Sequence, residues 1–199
     1  MSLFKKMDPK ADVGTPTSLK SSVQRGIRTK ILEQYPDTLG ANDGALLEQL
    51  VPKKEPMTVV KFKREHVQIL LVKGVPMFFQ HYDGPWLPTL HILHQYPTLL
   101  PWIQVDRGAI KFLLSGANVM APGLTSAGGH LPDPKLGETP LKKGTPVAIR
   151  SQGKTLEVAI GSLLVDTEEI ASQGKGNVVD NVHYIGDDLW AVCSKGGFA

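Results

Sequence analysis

A single cysteine stands in the 199 residues, so no internal disulfide can form, and a lone thiol cannot assemble a zinc site. Cys193 is therefore read as a small buried hydrophobe in a chain compatible with a reducing compartment. Long apolar runs are missing as well. No window approaches the roughly 18 apolar residues of a membrane span. The opening MSLFKKMDPK lacks the apolar stretch of a secretory signal, and the expected location is the cytoplasm, with no membrane partner. What is present describes an ordinary globular chain, 41% hydrophobic and 21% charged, sized for one large domain or two small ones. Its net charge of +3 is unevenly spread. Residues 1–103 carry 13 Lys and Arg against 9 Asp and Glu, whereas 104–199 carry 9 against 10, so the basic surface is N-terminal.

In that basic half, Thr17 to Tyr35 reads as one helix, capped by Thr17 or Ser18 and stopped by Pro36, with Leu19, Val23, Ile27 and Ile31 on one face. Lys20, Arg25, Arg28 and Lys30 make a cationic stripe suited to a phosphate backbone, the alternative being plain solvated surface. A second short helix runs from Asp43 to Leu50 before Pro52. The period then changes. Met57 to Lys63, His66 to Val72 and Val75 to His81, divided by Arg64-Glu65 and Lys73-Gly74, predict a three-stranded meander ended by Asp83-Gly84-Pro85. The Gly84-Pro85-Trp86-Leu87-Pro88 turn holds Trp86 and Leu87, expected as exposed anchors for a protein partner unless Trp86 covers its own sheet. Pro88-Thr89 starts a short helix to Tyr96, and Pro97 and Pro101 force an extended connection. The domain boundary is placed near 100–103, giving 1–102 and 103–199.

Function is most legible in Val105 to Leu124. Asp106 can cap a first turn in which Ala109, Phe112 and Leu113 share a face, and Gly116 suits the left-handed residue that stops a helix. Asn118-Val119-Met120 reads as a strand and Pro122-Gly123 as a tight turn. Gly108, Gly116 and Gly123 carry no side chain, so a phosphodiester could approach their main chain, or they merely punctuate turns. Residues 124–144 are a long loop, Thr145 to Arg150 and Thr155 to Val165 form a hairpin, and Asp166 to Ile170 opens a short helix closed by Gly174. His183-Tyr184-Ile185 and Leu189 to Val192 flank a turn at Gly186-Asp187-Asp188 and are expected as a last strand pair. The fold class is α+β, a small α/β domain followed by a closed or nearly closed small barrel with short helices.

Val105-Asp106, Gly108-Ala109-Ile110, Ser115 to Asn118 and Pro122-Gly123-Leu124, followed in order by Ala159-Ile160-Gly161, Asp166 to Ile170, His183-Tyr184 and Leu189-Trp190, resemble a PUA domain, an RNA-binding module. More narrowly, Phe4-Lys5-Lys6, Pro52-Lys53-Lys54, Gly84-Pro85, Pro88-Thr89-Leu90, His94, Tyr96-Pro97 and Ile110-Lys111-Phe112 resemble the malignant T-cell amplified sequence family, called translation machinery-associated in yeast. The loop at 124–144 looks longer than in that family. The resemblance implies a PUA-type pseudo-β-barrel in the second half and a non-catalytic translation factor. It implies partnership with density-regulated protein on the small ribosomal subunit, in noncanonical initiation, reinitiation and tRNA release during recycling. Together, glycine access and resemblance put the acceptor end of tRNA on Arg107, Gly108, Lys111, Gly116, Ala117, Asn118, Pro122 and Gly123, and small-subunit RNA on the basic helix. The near-neutral second half is not expected to bind RNA strongly alone.

Catalysis has no candidate constellation. His91 and His94 share a predicted helix, but two ligands are too few for a metal. Asp166, Glu168 and Glu169 at a helix start complement its dipole without any chemistry. No cofactor is expected. The competing readings are a ribosome-assembly factor and an RNA-targeting subunit of a modification enzyme.

Overall fold

The computed structural model describes every residue except Met1, Pro9, Lys10, Arg64 and Ala199. It divides into two compact units, Lys6–Leu99 with Ala191–Ala199, and Leu100–Trp190 with Met1–Lys5.

The first unit runs β1 (Thr17–Ser18), α1 (Ser21–Gln34), α2 (Ala41–Leu50), β2 (Met57–Phe62), β3 (Val67–Val72), β4 (Val75–His81), β5 (Trp86–Pro88) and α3 (Leu90–Gln95). The strands form one antiparallel sheet in sequence order. The expected meander is there, and its β3–β4 turn places Lys73 and Gly74 at φ 53° and 79°, the left-handed pair that matches strand twist. The divider Arg64 lies outside the described residues. Two differences have plain causes. Helix α1 starts at Ser21 rather than Thr17, because Thr17 and Ser18 pair with Val59 and Thr58 as an edge strand. Of the apolar face, Ile31 is buried, whereas Val23 is 46% exposed. The second difference is α2. Asn42, Asp43 and Gly44 have left-handed dihedrals, so regular helix begins only beyond them.

The second unit holds β6 (Trp102–Val105), α4 (Ile110–Leu113), β7 (Val119–Met120), α5 (Ala121–Thr125), β8 (Pro146–Ser151), β9 (Ala159–Leu163), α6 (Thr167–Gln173) and β10 (Asn177–Tyr184), with α7 (Asp188–Ser194) after them. Its sheet runs β6-β8-β9-β10-β7, with β6 and β8 parallel and every other pair antiparallel. The sheet curls into a pseudo-barrel around Ile103, Val105, Val147, Ile149, Ala159, Leu163 and Val179, the inward positions of strands alternating at period two. Helix α6 ends at Gly174, φ 61°, as expected. The last segment differs from expectation, because Leu189 to Val192 are helical. Asp187 is the reason. Its Oδ1 accepts the Trp190 N–H at 2.9 Å and caps α7, while Oδ2 accepts the Tyr184 N–H at 3.0 Å and lies 2.8 Å from His183 Nδ1. Pro122-Gly123 also departs from expectation. Proline at the first turn of α5 suits a helix start, so the pair sits inside a short helix instead of a tight turn.

Candidate nucleic-acid interface

The stretch from β6 to α5 builds a groove. Asp106 caps the turn after β6 as expected, its Oδ1 accepting the Ala109 N–H at 2.9 Å and its Oδ2 the Ser126 hydroxyl at 2.8 Å. Residues 107–109 make one tight 3₁₀ turn and lead into α4. At its end Gly116 has φ 81°, its N–H donates to the Leu113 carbonyl and the Ala117 N–H donates to the Phe112 carbonyl, the paired bonds of a glycine-closed helix terminus. From the sheet side, the buried Asn181 of β10 holds the turn. Its side-chain amide donates to the carbonyls of Leu113 at 2.9 Å and Ala117 at 3.0 Å, and its own N–H donates to Asn118 Oδ1 at 3.1 Å. Sequence reasoning missed Asn181, because an asparagine among strand residues gives no signal of what it faces across 63 residues.

The cavity so formed is about 730 Å³. Six of the eight expected turn residues line it: Gly108, Gly116, Ala117, Asn118, Pro122 and Gly123. Val105, Ala109, Phe112, Leu113, Val119 and Met120 give it apolar walls, with Phe112 57% and Met120 56% exposed. The two expected cations stand off this lining. Lys111 Nζ sits 4.9 Å from the centre of the Phe112 ring, and an Arg107 guanidinium nitrogen lies beside Gly153 in the β8–β9 turn. Asp106 is the one charged residue in the lining, and both its oxygens are engaged by the turn itself. The glycines also have internal reasons to be glycine. A Cβ on Gly123 would stand 3.3 Å from the Ala109 Cβ, and one on Gly116 would stand 3.1 Å from both a Tyr184 ring carbon and the Lys5 side chain.

The basic helix is less of a stripe than expected. At ~100° per residue, Lys20, Arg25, Arg28 and Lys30 are scattered around the axis rather than aligned. Lys20 is the residue before the helix, and Arg25 and Lys30 are exposed. Arg28 faces α2 instead, where its guanidinium is 2.6 Å from Glu48 Oε2 and its side chain only 13% exposed. The Lys53 N–H on Glu48 Oε1, with Arg28 alongside, holds the Glu48 carboxyl below its usual value. The expected anchors are buried. Trp86 is 2% exposed and Leu87 7%, because the segment joins the sheet as β5 instead of turning outward. The Trp86 N–H donates to Gln34 Oε1 and its carbonyl accepts the Tyr35 hydroxyl at 2.6 Å, so the residue that resembled a docking anchor closes the core of its own unit. Among the described residues no group of three His, Cys, Asp or Glu gathers as a metal site, and no helix is long and apolar enough to cross a membrane.

Residues 101–185 match the PUA domain and residues 7–97 the pre-PUA-like domain, so the curled sheet with its groove is that of a PUA-domain protein carrying a pre-PUA unit. Over 188 residues the chain is 43% identical to malignant T-cell-amplified sequence 1 of Danio rerio, covering 94% of this chain and 97% of the other. Translation machinery-associated protein 20 of Saccharomyces cerevisiae is 42% identical over the same length and coverage. The chain belongs to the family of these malignant T-cell-amplified sequence and translation machinery-associated proteins. Its fold is shared with a hypothetical protein of Pyrococcus horikoshii, TM-score 0.65 at 23% identity over 89% of this chain and 99% of that one. A PUA-domain structure from Aeropyrum pernix gives 0.62 at 24% identity, covering 92% and 91%.

Proposed function

We propose that this protein is a non-catalytic, RNA-binding factor of translation that works on the small ribosomal subunit with a partner like density-regulated protein, in noncanonical initiation, reinitiation and tRNA release during recycling. Membership of a family whose yeast members are named for the translation machinery supports the setting. The groove is the observation that carries the reading. A cleft of about 730 Å³ with exposed Phe112 and Met120 for bases, Asn118 for a base edge and exposed main chain at Gly108 has the chemistry for a single-stranded RNA end, for which the acceptor end of tRNA is our candidate. Lys111 and Arg107 stand outside to meet flanking phosphates. A lining without a cation makes autonomous affinity low, so the partner and the ribosome supply the rest.

Two measurements test it. Photocrosslinking of tRNA with a reactive acceptor end maps onto residues 108–123 in the wild type and is lost in Gly116→Val, where a β-branched residue is strained at φ 81°. A variant that melts like the wild type and crosslinks equally well moves the site elsewhere. Affinity capture then separates the roles. Mature small subunits with a density-regulated partner support initiation or recycling, whereas nuclear pre-ribosomes support assembly.

A further inference from the structure

The first unit carries a surface that neither the groove nor α1 explains. Two turns of its sheet, β2–β3 and β4–β5, are tied together by the Tyr82 N–H, which donates to the His66 carbonyl at 3.0 Å. Both residues have left-handed backbone, His66 at φ 52° and Tyr82 at φ 50°. Histidine enters that region more readily than most residues, but for the bulky ring of Tyr82 it is a rare and costly outlier, and glycine or asparagine would hold its turn at lower free energy. The rings explain what the strain secures. The His66 and Tyr82 rings stack at 4.8 Å and 21°, and His81 leans against Tyr82 at 4.6 Å and 53°. Even so, Tyr82 is 60% exposed, so the cluster does not serve to bury it. A cavity of about 510 Å³ opens beside the pair, and Lys61 and Lys63 on its wall outnumber the single Asp83. Both lysines are exposed.

We propose that the His66–Tyr82 pair is a stacking platform for an unpaired nucleobase of RNA, with Lys61 and Lys63 on the phosphates to either side. An exposed planar ring stack offers a face to any base, and two exposed lysines on the wall of the same cavity suit a polyanion better than a peptide. The excess positive charge of this half of the chain points the same way. The site is independent of the groove reading, since it lies in the other unit and takes a base from any unpaired strand.

The test uses the full chain and a labelled oligouridylate of roughly ten nucleotides, read by anisotropy and by crosslinking through a photoreactive uridine. Tyr82→Phe keeps the ring and binds within about twofold of wild type, while Tyr82→Asn loses it and binds roughly five- to a hundredfold more weakly. The melting temperature of Tyr82→Asn stays level or rises, because asparagine accepts left-handed backbone more easily than tyrosine. Replacing Lys61 and Lys63 by Gln lowers the salt slope by about 0.7 for each phosphate released. Crosslinks map to His66 or Tyr82, and they persist in Phe112→Ala, which reports on the groove alone. The proposal falls if the wild type binds no oligouridylate, if crosslinks miss His66 and Tyr82, or if Tyr82→Asn binds RNA as the wild type does. Loss of a protein partner from Tyr82→Asn at unchanged RNA affinity also overturns it, and makes the platform a protein-docking surface instead.

Discussion

Asn181 donates its backbone N–H to the side-chain oxygen of Asn118 at 3.1 Å, and so fixes across the sheet the one amide side chain of the groove-forming turn. With its two bonds to the carbonyls of Leu113 and Ala117, the same residue closes the helix end from which Gly116 departs. Sheet and groove are thereby one mechanical unit.

Asn181→Leu is therefore expected to strand the Ala117 carbonyl and to leave the Leu113 carbonyl with the Gly116 N–H alone, at about 1–3 kcal/mol in all before relaxation. The turn should loosen while the strands persist. Hydrogen exchange at residues 113–118 speeds up more than in β8 and β9, and RNA-end crosslinking falls even at temperatures where the variant is folded. Equal protection of the turn in wild type and variant would show that Asn181 does not set the groove.

Much of this architecture could be read from residues, and the gaps have physical causes. The β2–β4 meander, the Asp106 cap and the glycine stops at 116 and 174 follow from local rules, since turn dihedrals and capping bonds are made within a few residues. Trp86 could not be placed that way. Between two prolines it resembles an exposed anchor, and only the sheet edge left open by β4 decides that it becomes a strand. Arg28 is similar, since the density of cations suggested a stripe while Glu48, twenty positions on, fixes where its guanidinium goes. Asn181 was invisible because its role exists only once β10 lies behind residues 113–118.

The buried course of β5 makes Tyr35 and Trp86 stability residues. Trp86→Ala should cost about 3–5 kcal/mol, as large-to-small core changes do, and should melt the first unit rather than selectively remove a partner. Tyr35→Phe is gentler. It strands the Trp86 carbonyl at about 1–2 kcal/mol and keeps the ring. Burial pushes the Tyr35 phenol well above its usual value, so the folded state keeps that proton where the unfolded chain has lost it. Stability is thus expected to fall as pH rises past ~10 in the wild type, and this component of the slope should vanish in Tyr35→Phe. Denaturant melts of both proteins on the alkaline side read it directly.

Lys142 ties the long loop to the start of α6, with Nζ 2.9 Å from Asp166 Oδ2 and 3.4 Å from Glu168 Oε2, while the Lys143 N–H donates to Asp166 Oδ1. That N–H first, and Lys142 second, hold the Asp166 carboxyl below its usual value, and bonds to the two acids hold the Lys142 ammonium above its own. The signs differ. The Asp166 contribution is present above the unfolded carboxylate value of ~3.9 and is lost as pH falls through the lower folded value. The Lys142 contribution is complete below ~10.4 and is lost as pH rises through its raised folded value. Asp166→Asn should lower the neutral plateau slightly and flatten the acid limb, while Glu168 keeps part of the alkaline one. Because these groups are exposed, the effect should be small and should shrink in high salt. Proteolytic sensitivity of residues 137–144, followed against pH, reports on the same tether.

The last expectation concerns α1 as a ribosomal contact. Arg28 is engaged by Glu48, so its guanidinium is not free for phosphate, whereas Arg25 and Lys30 are exposed. Each neutralised phosphate releases condensed counterions, so the slope of small-subunit affinity against salt counts contacts, on a duplex scale that ribosomal RNA approximates. Changing Arg25 and Lys30 to Ala should lower that slope by about one unit per lost contact and leave partner affinity unchanged. Arg28→Ala should behave differently. It should leave the slope alone and reduce thermal stability, because Glu48 loses its cation and the half-buried contact between α1 and α2 loses its bond. If instead Arg28→Ala lowers the slope at unchanged stability, the guanidinium leaves Glu48 for RNA on the ribosome. If the double variant keeps the wild-type slope across ~50 to 200 mM salt, α1 is solvated surface and the basic pairs Lys5-Lys6 and Lys53-Lys54 take its place as the contact to test.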